Sequence, residues 1–350
     1  MNKDQEMITP QYKEDLEKQQ YRIVGHHSAV KVCGWTKNMI RGKGICYKFK
    51  FYGIRSHQCL QMTTSMFCAN RCKFCWRGQK APVSKEWYGK IDEPKFIVDN
   101  SIQEQRQLIV GFAGSETSKK DVFEEANTVK HVALSLTGEP ITYPKIVEIL
   151  DEFHKQRIST FLVTNGQYPE QLEKIDRLTQ LYISIDAPNK KLLKDIDLPL
   201  FPDYYERLIK SLEIMKEKKY RTTLRITVIK DINDTDLEGY KHLIETGMPD
   251  FIEVKAYMYL GASREILEKT NMPFHEYVQE FSKKLIDIIP EYEIIDEHPP
   301  SRVLCLARKD MKNKQFINFA NFFETVNQVT EKERIPIAND YSSSEMCENK

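Results

Sequence analysis

Between residue 57 and about residue 259 the chain alternates six short apolar runs with amphipathic stretches, and this alternation narrows the possible folds more than any other feature. The runs are CLQMTTSM from Cys59, HVALSL (131–136), TFLVTNG (160–166), LYISIDA (181–187), TLRITVI (223–229) and FIEVKAYMY (251–259). β-Branched and aromatic residues recur in them, as in strands. The intervening stretches, such as YPKIVEILDEFHKQ and YYERLIKSLEIMKEKK, repeat apolar residues at i, i+3, i+4 and i+7, the period of a half-buried helix. Six β-α units in succession predict a parallel sheet with right-handed crossovers. A complete barrel needs eight. The expected fold class is therefore α/β, an open partial (β/α)6 barrel with N-terminal and C-terminal extensions.

The flanks divide the chain into an extension over residues 1–56, the barrel with its flanking strands over 57–310, and a second extension over 311–350. Thr9-Pro10 predicts an N-cap and first helical proline, opening a polar helix through about Gln20. Residues 291–310 predict two further strands around a Pro-Pro turn. The polar end, NDYSSSEMCENK, is expected to be disordered. The N-terminus carries scattered charges and no apolar core, unlike a signal peptide. No apolar run reaches bilayer-spanning length, so a cytoplasmic protein without membrane contact is expected.

Six of the eight cysteines fall between residues 33 and 75, which in a reducing compartment favours metal or cluster binding over disulfides. Net charge is +1, yet residues 21–90 hold fourteen Lys/Arg against the single acid Glu86. All three tryptophans, Trp35, Trp76 and Trp87, lie in that window. Cations interleaved with aromatics suit a polyanion whose bases can stack. The alternative is a basic surface that merely balances acidic regions elsewhere.

FCANRCKFCWRG sets Cys68, Cys72 and Cys75 in the pattern C-x3-C-x2-C. Zinc would want a fourth ligand, which His57 or Cys59 could supply. A [4Fe–4S] cube held by three thiolates instead leaves one iron free for a small molecule. Zinc pairs are usually C-x2-C repeated at a distance, whereas this spacing wraps one loop around a cube. Phe74, just before the last cysteine, also belongs to the cluster pattern.

On these residues the sequence resembles the radical S-adenosylmethionine superfamily, whose signature is C-x3-C-x-aromatic-C. The resemblance implies that the open iron is chelated by the amino and carboxylate groups of S-adenosylmethionine. One electron then cleaves the cofactor to methionine and a 5′-deoxyadenosyl radical, which abstracts a hydrogen atom. It further implies a cofactor-binding role for Gly138 and Glu139 of LTGEP, which match the element meeting the methionyl amine. Asn165 of VTNG, and Ser184 and Asp186 of ISIDA, stand at successive strand ends and suit ribose and carboxylate recognition. Turn chemistry alone would also place Asn-Gly and Asp where strands stop.

Upstream, Cys33, Cys46 and Cys59 are spaced thirteen apart, too widely for one loop to grip a metal. Three ligands again would leave an iron open, this time for a substrate. Lys48, in CYKFKFYGIRSHQC, could form a Schiff base with a carbonyl compound if desolvation removed its charge. It could equally bind phosphate, as could Lys43, Lys50 and Arg55.

Taken together, the thirteen-residue spacing, CYKFKFYGIRSHQC and FCANRCKFCWRG resemble the tRNA 4-demethylwyosine synthase family. The resemblance implies an auxiliary [4Fe–4S] cluster on Cys33, Cys46 and Cys59, hence two clusters, and Lys48 as the active-site lysine. It implies pyruvate and phenylalanine tRNA carrying N1-methylguanosine at position 37 as substrates. Only about 30 residues precede Cys33, where eukaryotic members carry a flavodoxin-like domain. The chain thus resembles the shorter archaeal-type form, with electrons expected from a separate flavodoxin- or ferredoxin-type protein. Arg225, Thr227 and Lys255 are further candidates to line the mouth, and Trp35, Trp76 and Trp87 to stack bases. The competing expectations are another radical enzyme with an auxiliary cluster, such as a peptide-modifying maturase, and a zinc-stabilised nucleic-acid-binding module without catalysis.

Overall fold

Residues 5–77, 81–327 and 336–347 are described by the structure, a computed structural model. The helix α1 (Pro10–Lys18) begins as expected, with the Thr9 hydroxyl accepting from the Tyr12 N–H at 3.3 Å. A hairpin that the sequence reading missed follows, β1 (Arg22–Val24) and β2 (Ser28–Val30), then the short helices α2 (Gly34–Ile40) and α3 (Tyr47–Tyr52). The predicted strands are β3 (Cys59–Thr63), β4 (His131–Leu134), β5 (Ser159–Thr164), β6 (Gln180–Ile185), β7 (Arg221–Val228) and β8 (Phe251–Ala256). Tyr292–His298 and Val303–Arg308 form β9 and β10 on either side of the Pro-Pro turn.

The strands make one ten-stranded sheet in the order β1-β2-β3-β4-β5-β6-β7-β8-β10-β9. The six from β3 to β8 pair in parallel, and the hairpins at both ends pair antiparallel. Its two edges do not pair with each other, so among the described residues the sheet stays open. The first extension is therefore not a separate unit, because β2 continues the sheet directly onto β3. Helices cover the outer face. In the crossover helix Ile146–Lys155, Ile146, Ile149, Leu150 and Phe153 are buried, which is the predicted stripe. Burial on both faces explains why the parallel strands read as nearly continuous apolar runs. No helix among the described residues is long and apolar enough to cross a membrane.

Strand alternation sorts the polar residues onto the inner face. Ser184 is in register with Arg225, Arg225 with Glu253, and Thr227 with Lys255. Helix α3 lies across this face: Tyr47 and Tyr52 both donate their hydroxyls to Glu253 at 3.2 Å. Gly53 ends the helix at φ 80°, the left-handed conformation that glycine adopts without strain.

The C-terminal end departs from expectation. Ala338–Asp340 forms a helical turn, and Ser342–Ser343 (β12) pairs with Phe316–Ile317 (β11). Arg221, fully buried at the start of β7, explains this order. Its guanidinium donates to the Gln315 carbonyl at 2.6 Å and the Ser342 hydroxyl at 2.6 Å, and its N–H to the Tyr341 hydroxyl at 3.0 Å. A buried guanidinium needs such acceptors, and the tail supplies them. The expectation of disorder for NDYSSSEMCENK is thus corrected for residues 339–343; residues 348–350 lie outside the described residues.

Candidate functional site

The loop after β3 carries Cys68, Cys72 and Cys75, and neighbouring backbone pins it. The Arg71 and Lys73 N–H groups donate to the carbonyls of Asp197 and Ile196 at 2.9 and 2.8 Å. Ala69 accepts from Leu200 at 2.8 Å, and Cys68 donates to Pro82 at 3.2 Å. Three donors converge on the sulfurs. The Asn70 N–H and the Asn165 side-chain amide each reach Cys68 Sγ at 3.4 Å, and Arg77 Nε reaches Cys75 Sγ at 3.4 Å. Burial pushes the Cys68 thiol up to about 12, with Arg77 opposing. It raises Cys72 as well, where the Asp197 and Asp186 carboxylates act in the same direction. Thiolates are thus costly here on their own, and a bound cation would offset that cost.

Gly138 and Glu139 come against this loop. Gly138 has φ 64°, and a Cβ there would stand 1.9 Å from the Ser65 carbonyl oxygen, so only glycine fits. The close approach lets the Glu139 N–H donate to Phe67 at 2.8 Å. Its carboxylate is buried and accepts from the Asn165 N–H at 3.2 Å, while Oε1 has no partner. Burial raises this carboxyl to about 7, although Thr164, Asn165 and Arg77 pull it down. Asp186, at the end of β6, repeats the pattern: it is buried, Oδ1 is unpartnered, and burial raises it to about 7 despite a hydrogen bond from Thr227. Ser184 is half-buried one strand step before it. Two unpartnered buried carboxylate oxygens beside a three-thiol loop fit a bound group that offers N–H or O–H donors.

Cys33 and Cys46 are the N-caps of α2 and α3, and Cys59 opens β3. Three element starts thereby bring together thiols that lie far apart in the chain. All three are half-buried, and they are close enough to perturb one another. Burial pushes both Cys46 and Cys59 up to about 12; for Cys46 the next cause is Cys33. Lys48 projects from α3, its ammonium 4.0 Å from the centre of the Tyr182 ring and 6.0 Å from that of Phe161. Burial lowers its pKa, and the neighbouring Arg225 charge lowers it further.

Arg225 itself pairs with the fully buried Glu253 at 3.0 Å and leaves Nη2 without a partner. Thr227 lies beside Asp186. Lys255 donates to the Ser301 carbonyl at 3.0 Å, and burial lowers it to about 8. These three do face the inner side of the sheet. Trp35 is half-buried edge-on to His298, and Trp76, 36% exposed, stacks on Tyr21.

Trp87 does not fit the expected stacking role. It is buried in the core against His27, Phe67 and Tyr143. Nor is His57 free to ligate a metal, since Nε2 meets Glu125 at 2.7 Å and the ring is buried. Lys50 and Arg55 are similarly engaged, with Asp296 at 2.9 Å and Glu125 at 3.3 Å. Sequence reasoning missed Glu253, Tyr182, Asp197 and Arg77. For Glu253 a signal existed: a carboxylate inside the apolar strand FIEVKAY must find buried donors.

Comparison with known proteins agrees with this geometry. A model of the radical SAM superfamily matches residues 62–244, and one for wyosine base formation matches 246–308. The tRNA 4-demethylwyosine synthase TYW1 of Xenopus laevis is 48% identical over 308 residues, 88% of this chain and 42% of that protein. The human counterpart is 47% identical over 307 residues, covering 87% and 42%. The chain spans about half the length of the curated relatives it matches. Among solved structures, a TYW1 with a bound lysine–pyruvate adduct is 36% identical at a TM-score of 0.79, covering 89% of this chain and 99% of that one. An archaeal TYW1 is 35% identical at a TM-score of 0.71, covering 87% and 97%.

Proposed function

The chain belongs to the radical SAM superfamily and, within it, to the tRNA 4-demethylwyosine synthase family, and on that premise we propose that it condenses N1-methylguanosine at position 37 of phenylalanine tRNA with pyruvate to form 4-demethylwyosine. One observation carries the reading. On β6, Tyr182 meets the Lys48 ammonium, while Ser184 and Asp186, two and four residues on, continue the same inner face toward the Cys72 loop. A lysine suited to a carbonyl substrate and a three-thiol site with open polar partners thus share one face.

In this proposal Cys68, Cys72 and Cys75 hold a [4Fe–4S] cluster, and Cys33, Cys46 and Cys59 hold a second. With S-adenosylmethionine bound, the cluster held by Cys68, Cys72 and Cys75 would supply a 5′-deoxyadenosyl radical able to remove hydrogen from the N1-methyl group. Glu139 accepts from the methionyl amine. Asn165, Ser184 and Asp186 bind the ribose and carboxylate, and Gly138 permits the close approach. Lys48 forms an imine with the pyruvate carbonyl with loss of water, as the lysine–pyruvate adduct of the solved relative suggests. Burial and then the Arg225 charge lower its pKa, in the direction that favours the neutral amine this step needs. The methylene radical then adds to the former carbonyl carbon and leaves the unpaired electron on the imine nitrogen. Homolysis of the C1–C2 bond restores the C=N bond and expels C1 as a carboxyl radical anion. That fragment would leave as carbon dioxide by giving an electron to the auxiliary cluster, or as formate by taking an electron from it together with a proton. The exocyclic amine of guanine displaces Lys48 and closes the third ring.

Arg225 and Lys255 supply positive charge around the keto acid. Thr227 steadies Asp186, and Trp35 and Trp76 face the RNA. A flavodoxin- or ferredoxin-type electron donor provides the electron, and the reaction takes place in the cytoplasm.

Isotope tracing tests the reading. Reduced, cluster-loaded protein is given S-adenosylmethionine, tRNA with N1-methylguanosine 37, and pyruvate labelled separately at C1 or at C2 and C3. Label from C2 and C3 should enter the tRNA and label from C1 should not. 5′-Deoxyadenosine formed with no pyruvate carbon in the tRNA would overturn it.

A further inference from the structure

Beside the Cys68–Cys75 loop, a surface groove of about 430 Å³ is lined by Arg22, Lys31, Lys37 and Arg41, with Tyr21 and Phe112 among its walls. The cations are mostly unneutralised. Arg22 alone approaches a carboxylate, Glu104 at 3.8 Å. Lys37 donates to the neutral Gln20 side chain at 3.1 Å. The Lys31 ammonium lies over Tyr21 at 4.6 Å and Trp76 at 5.4 Å, and the Arg41 guanidinium over Phe112 at 4.8 Å. Among the described residues, no carboxylate stands within ion-pair distance of Lys31, Lys37 or Arg41. Burial lowers the pKa of Lys31 and the Lys37 charge lowers it further, a repulsion that a bound anion would relieve. A basic surface that only balanced acidic regions would be interleaved with acids. Here Glu17 is the single carboxylate in the lining.

One wall residue of the groove, Tyr21, touches the segment that carries the thiols. Tyr21 stacks on Trp76 with ring centres 6.1 Å apart and planes 15° apart, and Trp76 directly follows Cys75. Trp76 is also among the exposed large apolar side chains. Cations set along a groove whose Tyr21 wall stacks on an exposed indole match a nucleic-acid strand, with phosphates on the cations and an unstacked base near the rings. We propose that this groove seats the phosphodiester backbone flanking the target nucleotide, delivering that nucleotide past Trp76 to the inner face. The proposal rests on the reading that tRNA is the substrate. An acidic electron-donor protein would also be drawn to positive charge, but it has no use for an aromatic stack beside the thiols.

The test compares wild-type protein with the Lys37→Gln/Arg41→Gln double variant and with Arg22→Gln, all cluster-loaded. Binding of full-length tRNA is measured across a range of salt, and 5′-deoxyadenosine formation is measured without tRNA. Both substituted side chains of the double variant reach solvent, and unchanged tRNA-independent cleavage of S-adenosylmethionine reports an intact radical centre. The double variant should bind tRNA about tenfold or more weakly at low salt. The slope of log affinity against log salt should become shallower by about 1.5, as for two lost phosphate contacts. Arg22→Gln should show about half that change in slope.

Equal affinity and slope in all three proteins would overturn the proposal. So would unchanged tRNA binding combined with turnover that falls with a protein reductant but not with a chemical one, which would mark the groove as a donor dock. If wild-type protein itself bound no tRNA, the functional reading would fall, and this proposal with it.

Discussion

The Lys48 ammonium lies 4.0 Å from the centre of the Tyr182 ring, so the amine of a helix in the first 56 residues is aimed at the floor of the parallel sheet. The ring face favours the charged form of the amine, whereas burial and Arg225 disfavour it. Borohydride reduction in the presence of labelled pyruvate should therefore attach label to the peptide containing Lys48. Lys48→Ala should lose both the label and the modified tRNA yet still form 5′-deoxyadenosine. Label on a different lysine would move the imine elsewhere.

Glu139 should control cofactor affinity. With Oε1 unpartnered and the carboxyl raised to about 7, an amine donor finds a half-satisfied acceptor. Glu139→Gln removes a charge-assisted hydrogen bond of about 2 kcal/mol, so affinity for S-adenosylmethionine should fall roughly 30-fold. The pH dependence has a definite sign. The ligand pairs with the ionised carboxylate, and the free carboxyl takes up its proton as pH falls through about 7. Wild-type affinity should therefore weaken below pH 7 by up to about tenfold per unit, while the Gln variant should lack this slope. Calorimetric titration at several pH values measures both.

Gly138 tests the backbone approach. An alanine there would need φ 64° and a Cβ 1.9 Å from the Ser65 oxygen. Relief requires shifting backbone rather than a side-chain tip, at a cost of about 2–4 kcal/mol. Thermal unfolding of Gly138→Ala should show a midpoint lower by several degrees. A melt equal to wild type would mean that the loop adapts freely.

Iron content separates the two thiol sets. Replacing Cys33, Cys46 and Cys59 by alanine should halve the iron bound after anaerobic loading and leave S-adenosylmethionine cleavage in place. Replacing Cys68, Cys72 and Cys75 should also halve the iron but abolish cleavage. Zinc in either set would contradict the assignment.

The β-α alternation made the parallel sheet legible in the sequence because its strands are buried on both faces and alternate with amphipathic helices. The β1–β2 hairpin escaped, since RIV and SAV are three-residue strands without a turn signature that stands out from their surroundings. The thiols of the Cys68 loop were legible because one loop holds them. The Cys33 set could be grouped by spacing alone, with no local geometry to show that element starts bring them together.

Trp87 was misplaced by composition: a tryptophan among basic residues reads as a nucleic-acid contact, but its ring is needed between His27 and Phe67 in the core. Tail order was hidden because the demand for it comes from Arg221, more than a hundred residues upstream. Polar partners such as Asp197 and Arg77 act through contacts between elements, which sequence order does not disclose.

The proposed function requires one radical centre to act on the N1-methyl group of a tRNA guanosine. Following deuterium from that methyl tests it most directly, with reduced protein, S-adenosylmethionine, pyruvate and tRNA deuterated at the N1-methyl of guanosine 37. Deuterium should appear in 5′-deoxyadenosine, in step with the modified base. Unlabelled 5′-deoxyadenosine with the methyl group intact would contradict it.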